Sequence, residues 1–235
     1  MLSLIKMDYT SYQQAMKILD IKRAAEKIYD YLKKNSLSSS MITIHNALLV
    51  AACNSFKDKD IKANVLEIGT YDGINANILA EMAQPISITT YDLSPTDARI
   101  LAHNPLAKEI NELKSLYLKR INMTSHKSIH YIEEPSSRII RSPRKDTFNL
   151  VWVDGDHSFP QVAFDIMSGL FFLGNSKYSL MFCDDVFKSV DNPTWQCLRN
   201  IEKDTNYRIM LFQKRHCGNK CVALIYKEYP YSADK

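Results

Sequence analysis

The apolar positions of this chain follow two different rhythms. Between Asp8 and Asn35, residues Ile18, Ile21, Ala25, Ile28 and Leu32 recur at three- and four-residue steps with Lys, Arg, Asp and Glu between them, which predicts an amphipathic helix. A polar tract, Ser36 to Ser40, interrupts that rhythm. A second helix is expected from about Met41 to Phe56, with Ile44, Leu48, Ala52 and Phe56 on its inner face. The rhythm then changes to short apolar runs: one beginning at Val65, then Ile86–Asp92, Ile129–Ile132, Phe148–Asp154 and Tyr178–Cys183. Short runs of this kind, bounded by turn residues, read as buried strands. Helical stretches separate them. These are Ile74–Met82, a start at Ser94-Pro95, a stretch from Asn104-Pro105 to about Ile121, Phe159-Pro160 to Leu173 ending at Gly174, and one opened by Asn192-Pro193. Tyr207–Gln213 and Val222–Tyr226 close the chain as an antiparallel-capable pair. Strands alternating with helices predict an α/β fold, a doubly wound and mostly parallel sheet covered on both faces. At 235 residues one domain is expected, with residues 1–58 as a helical extension and 60–227 as the core.

Composition narrows the class without deciding it. Hydrophobic residues make up 46% and charged residues 24%, ordinary values for a soluble globular chain. No apolar run is long enough to span a membrane, and the N-terminus lacks a signal-peptide layout, so a cytoplasmic protein is expected. The net charge of +4 falls well short of a nucleic-acid-binding arm. One basic cluster, Arg138, Arg141, Arg144 and Lys145, reads as a solvated loop or as a landing site for an anionic group. Five cysteines in no regular framework suit reduced thiols. His216-Cys217-Gly218-Asn219-Lys220-Cys221 has no second cysteine pair to complete a zinc site, and its Gly-Asn step reads as a hairpin turn.

The chemistry-bearing stretch is Val65 to Gly73, an apolar run with an acid at Glu67 that turns on Gly69 and Gly73 into a helix. Such turns bring backbone N–H groups up to a ligand. A second acid, Asp92, follows about 20 residues after Gly73, the spacing at which an acid meets a ribose hydroxyl. Tyr71 stands where a dinucleotide loop has its middle glycine, so the turn alone does not separate a dinucleotide site from a structural connection. Two further acidic groups follow strands: Asp154-Gly155-Asp156-His157 and Asp184-Asp185. Ligands of open α/β sheets gather beyond the strands' C-terminal ends, so all these acids are expected to face one crevice. They are read either as turn and helix caps or as an oxygen-rich site for Mg²⁺, Ca²⁺ or Mn²⁺, since packed carboxylates repel unless a cation offsets them.

Glu67-Ile68-Gly69-Thr70-x-x-Gly73 with Asp92 resembles the first two motifs of class I S-adenosylmethionine (SAM)-dependent methyltransferases, most of all the branch acting on small molecules and sugars. The resemblance covers about residues 60 to 227. It implies a seven-stranded sheet with the last strand antiparallel, and a SAM site built from Glu67, Gly69, Thr70, Tyr71, Gly73, Asp92 and Asp154. Asp154-x-Asp156-His157 with Asp184-Asp185 is similar to the metal motifs of divalent-cation-dependent O-methyltransferases of catechols and sugars. That similarity implies Asp154, Asp184 and Asp185 as ligands of a cation, Mg²⁺ above all, and His157 as the general base, with Asp156 an alternative ligand or base. The chain departs from the catechol enzymes by His157 where they have Lys and Asp185 where they have Asn. The implied activity is methylation of a small-molecule hydroxyl. A SAM-binding scaffold that performs no catalysis is the competing class, which the acids argue against; methylation of nucleic acid is disfavoured by the low net charge. The amphipathic N-terminal helix is a candidate homodimer surface.

Overall fold

In the structure, a computed structural model describing residues 19–35, 44–58, 60–83, 86–94, 96–97, 110–141, 147–174, 178–214 and 219–227, seven strands form one sheet. Helices α1 (Ile21–Lys34) and α2 (Ile44–Lys57) precede β1 (Ala63–Ile68), α3 (Ile74–Met82), β2 (Ile86–Asp92), α4 (Ile110–Met123) and β3 (Ile129–Glu133). A 3₁₀ turn (Ser136–Arg141) leads to β4 (Leu150–Val153), α5 (Gln161–Phe172), β5 (Leu180–Val186), α6 (Pro193–Asp204), β6 (Tyr207–Gln213) and β7 (Cys221–Lys227). The strand order is β3-β2-β1-β4-β5-β7-β6. Strands β1 to β5 pair in parallel, and β7 runs antiparallel to both of its neighbours. This is the mostly parallel, seven-stranded architecture expected.

The strands read as unbroken apolar runs because both faces of the sheet are covered. Successive side chains point to opposite faces. Val65, Leu150, Trp152, Leu180 and Phe182 pack into one core with α1, α2 and α3, while Leu66, Val151, Val153, Met181 and Cys183 pack into the other with α5 and α6. Helix α1 buries Ile21, Ala24, Ile28 and Leu32, and its N-terminus is capped by Asp20, which accepts from the Arg23 N–H. Asn192 caps α6 in the same way, with Pro193 in its first turn.

Several boundaries differ from expectation. Strand β5 runs on through Asp184-Asp185, so these acids lie within the strand rather than beyond it. A bulge between Cys183 and Val186 breaks the β5–β7 register there. Expectations for residues 8–18, the serine tract, Pro95, Asn104-Pro105 and His216-Cys217 lie outside the described residues. Cys53, Cys183, Cys197 and Cys221 are free thiols. Among the described residues no helix is long and apolar enough to cross a membrane.

Candidate functional site

The site forms where the chain leaves β1 toward β2 on one side and toward β4 on the other, the switch point of a doubly wound sheet. Two backbones meet there. The Asp154 N–H donates to Ile68 O (2.8 Å) and the Gly69 N–H to Tyr91 O (2.9 Å). Gly69 has φ +99°, and a Cβ on it would stand 2.1 Å from the Asp154 carbonyl oxygen, so only glycine fits. Gly73 (φ +79°) precedes α3, and a Cβ there would meet the Met123 side chain at the end of α4. Tyr71, between them, also has a positive φ (50°), and its side chain is exposed.

Asp92 holds this loop in place. Its Oδ2 accepts from the Tyr71 N–H (2.6 Å) and its Oδ1 from the Leu93 N–H (2.7 Å). Arg120, 1% exposed, reaches over from α4. It donates to the carbonyls of Tyr71 and Leu93 (2.8 Å) and to the Tyr131 hydroxyl (3.0 Å), and one guanidinium nitrogen lies 3.4 Å from Asp92 Oδ2. Burial raises the pKa of Asp92, an effect that Arg120 and the loop N–H groups partly offset. Glu67 and Thr70 sit behind the loop. Glu67, 1% exposed, accepts from Thr90 (2.5 Å) and Asn75 (2.7 Å), and Thr70 and Thr90 share a hydrogen bond. Burial pushes the Glu67 carboxyl up to about 7 despite those donors.

A cavity of about 440 Å³ opens in front of the loop. Tyr71, Asp92 and Arg120 line one part, Ile68, Leu93 and Leu116 form apolar wall, and Asp154, Asp156 and His157 line another part. His157 Nε2 lies 3.5 Å from Asp154 Oδ1. Burial lifts Asp154 to about 6, while His157 opposes the rise and Asp184 adds to it. Burial alone would lower His157, but the hydrogen bond and charge of Asp154 outweigh it and raise its pKa. Asp156 is exposed and accepts from both the N–H (2.8 Å) and the hydroxyl (2.5 Å) of Ser158, the geometry of an acid capping a turn. The sequence reading missed Arg120 and Asp165. Asp165 lines the cavity from α5, almost fully buried, and accepts from Ser136 (2.7 Å) and Gln161 (2.7 Å). A lone acid among the apolar residues of α5 was the available signal.

The acids are not all on the wall of this cavity. Asp92, Asp154 and Asp156 line the cavity, whereas Glu67, Thr70 and Gly73 frame it from behind, and Asp184 and Asp185 are not on its wall. The last two face the β6–β7 hairpin. Lys214 Nζ lies 2.6 Å from Asp184 Oδ2 and 2.9 Å from Asp185 Oδ1, and Lys220 Nζ lies 2.5 Å from Asp185 Oδ2. These ammonium groups hold Asp185 below the usual carboxylate range although its burial acts in the other direction. Asp184 Oδ1 is buried without a hydrogen-bond partner. His45 of α2 stacks on Trp152, with ring centroids 5.1 Å apart, and burial lowers its pKa to about 4 in spite of nearby Asp184. Among the described residues no group of three His, Cys, Asp or Glu is arranged to hold a metal ion.

The fold and the position of this cavity define a class I methyltransferase architecture. Solved structures similar to it include the O-methyltransferase TomG from Streptomyces achromogenes, involved in tomaymycin synthesis and bound to SAM. The similarity has a TM-score of 0.54 at 13% identity, covering 88% of this chain and 90% of that one. The methyltransferase PaMTH1 from Podospora anserina, bound to SAH, matches with a TM-score of 0.52 at 15% identity over 97% of this chain and 100% of that one. An O-methyltransferase from Bacillus cereus in complex with SAH matches with 0.51 at 12% identity, over 87% and 91%. Likeness at these identities speaks for the fold. No protein of curated function matches the sequence. The chain belongs to the methyltransferase-domain family, whose model matches residues 66–186, just over half of its length.

Proposed function

We propose that the protein transfers a methyl group from SAM to a hydroxyl of a small molecule. The observation that carries this reading is one cavity with Asp92 and the glycine loop in one part and Asp154 beside His157 in another. Its size suits a nucleoside-sized ligand, since pockets for such ligands run from roughly 300 to 1,000 Å³. Its chemistry suits SAM as well. Apolar walls offer contact to a base, Asp92 retains lone pairs for ribose hydroxyls, and Asp154 offers negative charge to the cationic amino-acid portion. The similar structures from Streptomyces achromogenes, Podospora anserina and Bacillus cereus hold SAM or SAH, which supports the same assignment.

SAM, when bound, supplies a sulfonium methyl whose C–S bond breaks as a C–O bond forms to the acceptor. His157 accepts the hydroxyl proton, and Asp154 orients the imidazole and stabilises its charged form. Alignment of the methyl donor with the acceptor oxygen in this cavity would supply much of the rate. Asp156 is the weaker candidate base, because its carboxylate is already engaged by Ser158. The implied divalent cation does not fit the donor set. Of its three expected ligands, Asp184 and Asp185 are bound by lysines and Asp154 pairs with His157.

Calorimetry with SAM and with NAD tests the cofactor. SAM is expected to bind and NAD is not, and the reverse result would move the protein to the dehydrogenases. Asp92→Ala is expected to weaken SAM binding by about 2–3 kcal/mol, as for a lost hydrogen bond to a charged group. In assays with catechols and sugars as acceptors, His157→Gln is expected to reduce turnover about 10²-fold or more with SAM affinity retained. Unchanged turnover would remove His157 as the base.

A further inference from the structure

The lysines at the end of β5 stand where the sequence pattern calls for a divalent ion. Divalent cations in oxygen sites take about six or more ligands, and each carboxylate oxygen given to an ammonium is one fewer for a metal. Here three of the four oxygens of Asp184 and Asp185 accept from Lys214 or Lys220, at 2.5 to 2.9 Å. Only Asp184 Oδ1 is without a partner. Two carboxylates and two ammonium groups leave no net charge to attract an ion. Both lysines are fixed by the same hairpin, because the Lys214 N–H donates to the Lys220 carbonyl (2.9 Å) and Cys221 pairs with Val186 of β5. Lys214 is well buried, with 13% of its side chain exposed, so this is not a loose surface contact. The barrier to displacing it is correspondingly high, since withdrawing one partner leaves the others buried and uncompensated.

We propose that the Lys214 ammonium, braced by Lys220, is a built-in cation that takes the place of a divalent metal ion in this methyltransferase. Two of its three N–H donors hold Asp184 and Asp185, and neither lysine is on the wall of the cavity. Lys214 is thus assigned as a positioning residue that holds the acids of β5 where an ion would otherwise hold them. This inference rests on the methyltransferase reading above.

Titration with Mn²⁺, followed by electron paramagnetic resonance, tests the proposal without any acceptor. The wild-type protein is expected to bind no stoichiometric Mn²⁺ at 1 mM, on the order of the weakest extracellular divalent sites. The variant Lys214→Ala/Lys220→Ala, with its acids released, is expected to bind one Mn²⁺ at least tenfold more tightly than the wild type. Lys214→Met/Lys220→Met keeps more of the buried volume and serves if the alanine variant fails to fold, judged by circular dichroism. Stoichiometric Mn²⁺ in the wild type that is lost in Asp184→Asn would overturn the proposal. So would a folded variant that gains no Mn²⁺, because the lysines would then not occupy an ion's position. SAM calorimetry on the same samples separates this from the methyltransferase reading, since failure to bind SAM sinks that reading whatever Mn²⁺ does.

Discussion

Glu67 illustrates how a motif residue can serve the site from behind. Its carboxyl is buried among Thr90 and Asn75, and its pKa is raised from 4.5 to about 7. A carboxyl with a raised folded pKa binds its proton more tightly in the folded state. Its stabilising contribution is complete below about pH 4.5, falls as pH rises toward 7, and is flat beyond. Glu67→Gln mimics the protonated form and does not titrate. Relative to wild type, the variant is expected to gain up to about 3 kcal/mol between pH 5 and pH 8. Urea midpoints at the two pH values measure this, and an equal difference at both would show that Glu67 titrates normally. The motif made this acid visible in the sequence, but not that Thr90 and Asn75 would enclose it.

At the scale of elements, the glycine loop is shaped by α4 as much as by its own glycines. Arg120 joins that helix to the Tyr71 and Leu93 carbonyls and to Asp92. Arg120→Met keeps the length of the side chain but removes the guanidinium, leaving Asp92 without its partner and two carbonyls short of a donor. A cost of about 3 kcal/mol is expected, the range for breaking a buried ion pair. Guanidinium unfolding of wild type, Arg120→Met and Arg120→Met/Asp92→Asn measures it, and the double variant is expected to recover part of the loss. A loss below about 1 kcal/mol would place Arg120 among surface residues. In the sequence, Arg120 follows Lys119 in a Lys-rich helix and looks like any solvated charge.

At the scale of the molecule, the N-terminal helices are part of the core. Ile28 and Leu32 of α1 and Leu48 and Phe56 of α2 pack into the same cluster as Val65 and Trp152 of the sheet. Ile28→Ala is expected to cost about 2–5 kcal/mol by leaving a cavity, while Tyr29→Ala, on the exposed face, costs within about 0.5 kcal/mol. Thermal melts decide between this and an independently folded extension, for which the sheet's transition would not move. The same helices bring His45 against Trp152, near enough to Asp184 to feel its charge.

Local order was written in the chain. The period of α1, the apolar runs of β1, β2, β4 and β5, the turns at Gly69 and Gly73, and the helix start at Asn192 all depend on neighbours within a few residues. So did the α/β class, because alternation of the two periods leaves few other ways to cover both faces of a sheet. Partnerships between distant residues were not legible. Arg120 meets Asp92 only because α4 packs beside the loop after β1, and Lys214 meets Asp184 only because β7 inserts antiparallel between β5 and β6. A charge carries no sequence signal of whether it faces water or another charge. The tertiary structure decides that, and with it whether the acids of β5 await a metal ion or already have their cations.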